Sequence, residues 1–340
     1  MFFDEIYSQP DVMVETAQSV TAQIAGLSPL INDPKRIVFT GMGSSHSAVY
    51  PSVLRLIEGG VDARLIEASE LLYYQANTLT SNTLLIVVSQ SGRSAEVSPL
   101  IGLANRCGAH VLGVTNTLDS VLHQHSQTSL VMKAGAEATV STKTYTCTLV
   151  LLHLLTTWLL NQDVNESLNA ITALCENIRP RLPQWHEQMT ALAEQWTGTH
   201  FIEYLGRGYA MASATTAALI SKESIKMPTE GMNAGQFRHG PIELVDGDFT
   251  GMFFIGGEPT LQVNRALASD IVNHGGRLAL ISQSDLQLAG TEWIAMPVCP
   301  AALLPFAEII PIQLFCGEMS IRKGYEAGKF RYIGKVTEQE

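Results

Sequence analysis

Short apolar runs alternate along this chain with longer amphipathic stretches, and glycine-containing turns separate them. Segment 35–58 (KRIVFTGMGSSHSAVYPSVLRLIE) has the pattern of a buried strand, a Gly-x-Gly turn and an amphipathic helix. Segment 84–116 has the pattern strand, turn, helix, glycine and strand. Strands that alternate with helices through short turns are typical of parallel sheets with helices on both faces. The chain is therefore predicted to be an α/β protein with doubly wound parallel sheets.

The same order of elements occurs twice. The pattern of residues 35–58 returns in 199–224, and that of 84–116 returns in 251–282. Two halves with the same order of strands and helices predict two domains related by pseudo-symmetry.

The ends of the halves are marked by apolar stretches long enough for a helix, near 144–161 and near 306–323. A polar stretch with helical character lies between the halves and contains the break IRPRLPQW. The predicted organisation is an N-terminal helical segment (1–24), a first domain (25–161), a helical linker (162–196) and a second domain with a C-terminal tail (197–340).

The composition supports an α/β protein and argues against some classes of binding partner. Hydrophobic residues make up 46% of the chain and charged residues 16%, which suits buried parallel strands and an oligomer. The formal net charge of −11 argues against nucleic acid or an anionic membrane as a partner. An anionic substrate must then be held by local dipoles and a few cations.

The cysteines and the N-terminus indicate the compartment. The five cysteines are odd in number and form no CxxC spacing, so we expect buried thiols, with no disulfide, metal or cofactor. The first residues, MFFDEIYSQPDV, carry acids where a signal peptide is basic, and no apolar run reaches about 18 residues. A cytoplasmic protein without a membrane partner is predicted.

A polar turn follows the second strand of the first half. In SQSGRS, Ser89, Gln90, Ser91 and Ser94 supply neutral donors, and Gly92 allows close approach of the backbone. An apparent helix start follows, and a helix N-terminus favours an anion. We predict a phosphate site here. The alternative is that a serine of this turn only caps the helix.

The turn after the first strand, GMGSSHS, likewise has glycine and serine residues between a strand and a helix. Gly43, Ser44 and Ser45 are predicted to contact the sugar hydroxyls or the phosphate, and His46 is predicted to be a neighbour of the site. The corresponding turn of the second half, IGGEPT, lacks the hydroxyl cluster. One phosphosugar site per chain is therefore expected.

These motifs, in this order, resemble the sugar isomerase (SIS) domain family over about residues 25 to 340. The chain is similar to the isomerase half of glucosamine-6-phosphate synthase and to its stand-alone deaminase and deglycase relatives. SQSGRSAE resembles the phosphate loop of the family, and EATVSTKTYT (137–146) resembles its V-A-S-T-K stretch, which implies substrate contacts for Val140 and Ser141. YLGRG, SKES and FRHGP resemble its second-half signature. The implied fold is a pair of flavodoxin-like SIS domains.

The resemblance also implies three catalytic residues. Glu223, at the end of an apolar helix, matches the glutamate that moves a proton between C1 and C2, and burial would raise its pKa toward a useful range. His239 matches the ring-opening histidine, which the family supplies from the neighbouring subunit of a homodimer. Lys335 matches a lysine that forms a Schiff base with the open-chain sugar. For each, a purely structural or solvated role is the alternative.

The sequence departs from the family in two places. Gln236 stands where the synthase and many deglycases have glutamate, which leaves the transferred specificity open. Position 2 is phenylalanine, and no glutaminase domain is expected, so glutamine-dependent synthesis would need a separate subunit to supply ammonia.

The leading hypothesis is an isomerising deaminase that converts glucosamine 6-phosphate to fructose 6-phosphate and ammonia. A fructosamine-6-phosphate deglycase, a plain aldose–ketose phosphate isomerase and a non-catalytic phosphosugar sensor are the alternatives. A sensor need not retain Glu223, His239 and Lys335 together, so their joint presence favours an enzyme.

Overall fold

The strands and helices alternate along the chain in the computed structural model, which describes residues 1–27, 36–332 and 334–335. The helices are α1 (Phe2–Tyr7), α2 (Gln9–Ile24), α3 (Gly43–Glu58), α4 (Ala68–Tyr73), α5 (Val97–Cys107), α6 (Val121–His125), α7 (Lys143–Leu159), α8 (Val164–Ile178), α9 (Leu182–Gln195), α10 (Met211–Ser224), α11 (Ala234–Arg238), α12 (Leu261–Asn273) and α13 (Leu304–Arg322). The strands are β1 (Arg36–Gly41), β2 (Ala63–Glu67), β3 (Thr83–Val88), β4 (His110–Thr115), β5 (Thr128–Val131), β6 (Ile202–Gly206), β7 (Thr229–Asn233), β8 (Thr250–Phe254), β9 (Arg277–Ser282) and β10 (Thr291–Ala295).

The strands form two parallel sheets with the same topology. The first has the order β2-β1-β3-β4-β5, and the second has the order β7-β6-β8-β9-β10. Numbered from its own first strand, each sheet has the order 2-1-3-4-5 of flavodoxin-like folds. The predicted fold class, with two pseudo-symmetric doubly wound domains, is confirmed.

The chain divides into two compact units. The first unit is Ser8–Cys175 with Arg331–Glu340, and the second unit is Met1–Tyr7 with Glu176–Phe330. The predicted N-terminal segment 1–24 is thus shared between the units, and the C-terminal tail groups with the first unit instead of the second.

Contacts of the N-terminal helices explain this division. In the first unit α2 packs along α7, and the side-chain amide of Gln23 pairs with both backbone groups of Val131 on the edge strand β5, at 2.9 Å each. A covered edge cannot recruit another strand. In the second unit α1 packs on α13, and Phe3 stacks on His186 of α9. Sequence order alone does not reveal these partners.

The second sheet separates two helical layers. The hydroxyls of Tyr204 on β6 and Ser221 on α10 lie 2.7 Å apart, so α10 covers one face. The next residue, Leu205, belongs to the core that includes Phe237 of α11 and Leu267 of α12. Because successive side chains of a strand point to opposite faces, α10 lies on one side of the sheet and α11 on the other.

One helical stretch of the described residues, Ala301–Arg322, is long and apolar enough to cross a membrane by length and composition. However, 89% of its apolar window is buried inside the protein, where α13 contacts α9 and α10. Its apolar surface is therefore used in core packing.

The cysteines are free, as expected, but their burial is uneven. Cys147, Cys175 and Cys316 are buried, whereas Cys107 and Cys299 are half-buried. Burial raises the pKa of the Cys147, Cys299 and Cys316 thiols to about 12, which disfavours the reactive thiolate.

A buried carboxylate on β6 has no hydrogen-bond partner among the residues that the structure describes. Both side-chain oxygens of Glu203 are inaccessible to solvent and lack a hydrogen-bond partner, and Glu203 pairs in register with Glu230 of β7. Burial, and then the charge of Glu230, raise the pKa of Glu203 from 4.5 to about 8. The folded state thus retains a proton that the unfolded chain releases, so the free energy of unfolding should fall as pH rises from about 4.5 to about 8.

Glu203→Gln is expected to remove this fall in the free energy of unfolding with rising pH. The variant should match the wild type near pH 4.5 and exceed it in free energy of unfolding at pH 8, by an amount on the order of 3 kcal/mol or less. Denaturant titrations at several pH values measure the difference. Glu230→Gln, at an exposed position, should give a smaller gain in the same direction. An unchanged pH slope in Glu203→Gln would contradict the assignment.

Candidate active site

The first sheet brings its two predicted binding turns together. β1 and β3 are neighbours, and the chain leaves them at the same carboxyl edge, where the strand order reverses. Ligands of open α/β sheets bind at this position. Gly43, Ser44 and Ser45 form the first turn of α3, and the segment from Ser89 to Glu96 connects β3 to α5. The predicted residues of both turns are therefore close in the fold.

The serine loop has an internal hydrogen-bond network. The hydroxyls of Ser89 and Ser94 lie 3.1 Å apart, and Ser89 Oγ also accepts from the Gly92 amide at 3.2 Å. Ser91 Oγ accepts from the Arg93 amide at 3.2 Å. A hydroxyl has one donor and two acceptor positions, so Ser91, whose Oγ accepts from an amide, keeps its proton for a ligand, whereas one proton of the Ser89–Ser94 pair is used between the two hydroxyls. The loop thus keeps hydroxyl donors available while its own hydrogen bonds hold it in place.

A further turn separates the serine loop from the helix that follows. α5 begins at Val97, its N-cap residue is Glu96, and no side chain caps it. The serines are therefore loop residues, and a role limited to capping α5 does not account for them. The polar turn looks like an N-cap in the sequence, but a further turn at residues 94–96 follows it.

Gly92 fixes the path of the loop. It has φ +61°, and a Cβ there would overlap Ser120 Oγ and lie 2.9 Å from Thr115 Oγ1. The carbonyl of Gln90 accepts from Thr115 Oγ1 at 3.1 Å and from the Asn116 amide at 3.0 Å. The loop after β4 thus holds the serine loop in place, and only glycine fits at the contact.

A cavity of about 860 Å³ opens beside this loop within the first unit. Gln90, Asn116 and Glu137 contribute to its walls, with Ser19 and Gln23 from α2. Its volume is in the usual range for small-molecule sites, and Gln90 is the one predicted binding residue among the described residues that line it.

Glu137 organises the loop between β5 and α7. Its side chain is fully buried, and its carboxylate accepts from the amide and hydroxyl of Thr142, at 2.9 and 3.0 Å, and from those of Thr144, at 3.0 and 2.5 Å. Val140 is buried and Ser141 is half-buried in the same loop. The predicted contact residues are therefore on a loop that one carboxylate holds.

Lys335 joins the same carboxylate. Its ammonium forms an ion pair with Glu137 and donates to the carbonyl of Thr139 at 2.7 Å, although 198 residues separate the ionic partners. Lys335 thus lies in the first unit beside the loop of Val140 and Ser141, and 21% of its side chain is exposed. Sequence reasoning did not select Glu137, although an acid that begins a threonine-rich turn is a usable signal.

Glu223 and His239 lie in the second unit, on different sides of the sheet. α10 begins beyond the carboxyl end of β6 and runs back over about 20 Å, so Glu223 is near the amino end of β7. His239 follows β7 and α11, which lies on the opposite face. Glu223 is half-buried, less than predicted, and His239 is exposed. The fold does not bring these two residues of one chain together.

His46 is half-buried in the first turn of α3. Burial lowers its pKa, and the negative charge of Glu67 opposes this shift. Glu67 itself caps α4 through the amide of Ser69 at 3.1 Å. The predicted place of His46 at the edge of the binding turns agrees with its position on α3.

Residues 30–158 match the sequence profile described as the SIS domain. The chain contains a SIS domain. The predicted family is confirmed for this part of the chain, and the match spans the first sheet with both binding turns and the Glu137 loop.

Curated relatives extend the similarity to the whole chain. The isomerizing glutamine–fructose-6-phosphate aminotransferase of Pyrococcus horikoshii is 29% identical over 99% of this chain. The chain spans 57% of the length of that relative.

Solved structures share the fold. The C-terminal domain of glucosamine-fructose-6-phosphate aminotransferase from Francisella tularensis has a TM-score of 0.86 and 22% identity, covering 96% of this chain and 97% of that one. Glucosamine-6-phosphate deaminase from Thermotoga maritima has a TM-score of 0.78 and 17% identity, covering 98% of both chains. The two-sheet architecture is therefore that of SIS-domain proteins.

The serine loop provides a direct test of phosphate binding. Ser89→Ala with Ser91→Ala should weaken phosphosugar binding more than tenfold, because each hydrogen bond to a charged group contributes about 1.5–3 kcal/mol. Calorimetry measures the affinity, and Ser269→Ala on α12 is the matched control, since its hydroxyl only donates within its own helix. Unchanged affinity in the double variant would contradict the phosphate assignment.

Proposed function

We propose that this protein is a phosphosugar isomerase-type enzyme that acts on a 6-phosphorylated amino sugar and releases the amine. The observation that carries the proposal is within the first unit. There the serine loop lies at the carboxyl edge beside a cavity, and the wall residue Glu137 holds the amine of Lys335. A set of neutral phosphate donors and a lysine suit a substrate with a phosphate at one end and a carbonyl at the other.

The names of the relatives support the same substrate class. The aminotransferase and the deaminase are named for 6-phosphorylated hexoses or hexosamines. A further neighbour in structure, tagatose-6-phosphate ketose/aldose isomerase from Escherichia coli, has a TM-score of 0.77 and 19% identity. Each of these names contains a sugar 6-phosphate.

The proposed reaction starts with ring opening, assisted by His239. Glu223 then takes the proton from C2 of the open-chain amino aldose and returns it to C1. The C1 oxygen gains a proton and the nitrogen loses one in the same conversion, which leaves a C2 imine and a C1 alcohol. The amine of Lys335 then displaces ammonia from C2 and forms a Schiff base there, and water hydrolyses this Schiff base, which frees Lys335 and leaves C2 as a ketone. The leading case is glucosamine 6-phosphate and water giving fructose 6-phosphate and ammonia.

The position of the two catalytic residues supports a homodimer. Glu223 and His239 of one chain lie near opposite edges and on opposite faces of the second sheet. One hexose is too short to contact both. We therefore propose that His239 reaches the site of a neighbouring copy, and that each dimer has two such composite sites.

The test is a substrate panel with the purified protein. Glucosamine 6-phosphate, a fructosamine 6-phosphate carrying an amino acid, and tagatose 6-phosphate are incubated separately, and ammonia, amino acid and ketose or aldose products are measured. Release of ammonia or amino acid that disappears in Glu223→Gln supports the proposal. Conversion of tagatose 6-phosphate alone would indicate a plain isomerase. Tight binding without turnover of any compound would indicate a sensor.

A further inference from the structure

Asn116, the first residue after β4, joins the serine loop to the loop that carries Glu137. Its backbone amide donates to the carbonyl of Gln90 at 3.0 Å. Its side chain donates from Nδ2 to the carbonyl of Gly135 at 2.9 Å and accepts at Oδ1 from the amide of Ala134 at 3.1 Å. Because an asparagine carries donors and an acceptor on one side chain, it can pair with the backbone of a loop as a strand would. One residue therefore holds two loops that follow different strands.

The position of Asn116 in the first sheet suits the two ends of a sugar phosphate. β4 lies between β3, which leads into the serine loop, and β5, which leads into the loop of Glu137. Neighbouring strands are about 4.8 Å apart, so the two loops start roughly 10 Å from each other. Gln90, Asn116 and Glu137 line the same cavity. An extended hexose phosphate, with its phosphate at one end and its carbonyl near the other, has a comparable length.

Glu137 connects Asn116 to the amine of Lys335. The backbone that Asn116 holds, at residues 134–135, ends two residues before Glu137. The Glu137 side chain is fully buried, and its carboxylate pairs with Lys335 and accepts from two threonine amides of its own loop, at 2.9 and 3.0 Å. A buried carboxylate is costly unless such contacts are kept. A change in the backbone at residues 134–135 should therefore move the carboxylate and the amine of Lys335 together.

We propose that Asn116 is a positioning residue that couples phosphate binding at the serine loop to the placement of the Lys335 amine. This inference rests on the proposed function and adds to it a residue that acts through other groups. Phosphate in the serine loop fixes Gln90, whose carbonyl holds Asn116, and Asn116 in turn holds the loop of Glu137. Two sites that bias one shared element are coupled thermodynamically. Binding at one end of the sugar thus prepares the amine that reacts at the other end.

The first test is kinetic and uses the compound that the substrate panel identifies. Asn116→Ala should lower kcat about 10- to 100-fold, because a small displacement of Lys335 costs this much. KM should change less than about threefold, because the hydroxyls of the serine loop remain. In the background of Glu137→Gln the same substitution should lower kcat less than about threefold further, because both act on Lys335 through one carboxylate.

Two further variants complete the kinetic test. Asn105→Ala is the matched control and should behave as the wild type, because its side-chain oxygen accepts from Gln127 at 3.0 Å at the end of α5, which leads to the amino edge of the sheet. Thr115→Val has a similar shape and removes a second bond to the Gln90 carbonyl, which its hydroxyl makes at 3.1 Å. It should lower kcat in the same direction and by less, and it serves if Asn116→Ala does not fold.

The second test is hydrogen–deuterium exchange with saturating inorganic phosphate. In the wild type, phosphate should slow exchange in the serine loop, and it should slow the Thr142 and Thr144 amides at least about threefold, because both donate to Glu137. In Asn116→Ala, phosphate should still slow the serine loop, but it should leave these two threonine amides unchanged.

Slowing of the serine loop and of the threonine amides in Asn116→Ala, or of the serine loop alone in the wild type, would overturn the coupling. A rise in KM with unchanged kcat would also overturn it, because Asn116 would then serve binding only. No effect of phosphate on either region of the wild type would overturn the phosphate site and the coupling together. Absence of turnover for every compound would refute the proposed function, and the exchange experiment, which needs no turnover, would still decide the coupling.

Discussion

Glu223→Gln and His239→Ala should each be inactive alone and should regain activity when the two variants are mixed under subunit exchange. In a composite dimer, half of the exchanged dimers contain both chains, and one of their two sites has both wild-type residues. Roughly a quarter of wild-type activity is therefore expected. Each single variant should lose about 10²–10⁴ in turnover, which is the usual contribution of a positioned acid or base, while substrate binding to Glu223→Gln remains nearly normal.

Matched controls are available for both positions. Glu230→Gln and His274→Ala alter exposed residues of the same unit, and they should retain turnover and show no effect of mixing. Failure of the catalytic variants to complement, with each parent folded and exchange confirmed by mass spectrometry, would mean that both residues act within one chain. Full activity in Glu223→Gln would remove the proposed base.

Lys335→Arg should abolish turnover while keeping the ion pair with Glu137, because a guanidinium does not form a Schiff base with a sugar carbonyl. Glu137→Gln should lower kcat/KM more than tenfold, because the amide cannot replace the carboxylate that accepts from Lys335, Thr142 and Thr144. Borohydride treatment with substrate should add the sugar to the tail peptide of the wild type, add less to Glu137→Gln and add nothing to Lys335→Arg.

Lys329→Gln is the control for this experiment, since Lys329 precedes the tail, is exposed and pairs with Glu326. It should retain both turnover and the reduced adduct. An adduct of wild-type yield in Lys335→Arg would place the Schiff base on another lysine. Unchanged kinetics in Glu137→Gln would show that the position and reactivity of Lys335 do not depend on the Glu137 carboxylate.

Local patterns in the sequence were sufficient for the elements and for the first binding site. The spacing of apolar residues along the chain indicates buried strands and amphipathic helices, so the α/β class could be predicted. The repeated order of these elements also predicted that β6 and β8 correspond to β1 and β3. The serine loop and the turn at Gly43 could be placed together because both follow strands, and the carboxyl ends of parallel strands share an edge.

Helix boundaries were less accurate, since they depend on loop hydrogen bonds. α7 and α13 begin at Lys143 and Leu304 and end at Leu159 and Arg322, one or two residues from the prediction. The sequence placed no start residue for α5, which begins at Val97 after a turn at residues 94–96.

The sequence by itself determined which residues are available for chemistry, and the tertiary structure decided which of them meet. Glu137 and Lys335 are distant in sequence, and only the return of the tail to the first unit pairs them. Glu223 and His239 are sixteen residues apart, yet the crossover from β7 places them on opposite faces of a sheet. Periodicity reports whether a residue is buried, whereas its neighbours depend on strand order and on which face each connection covers.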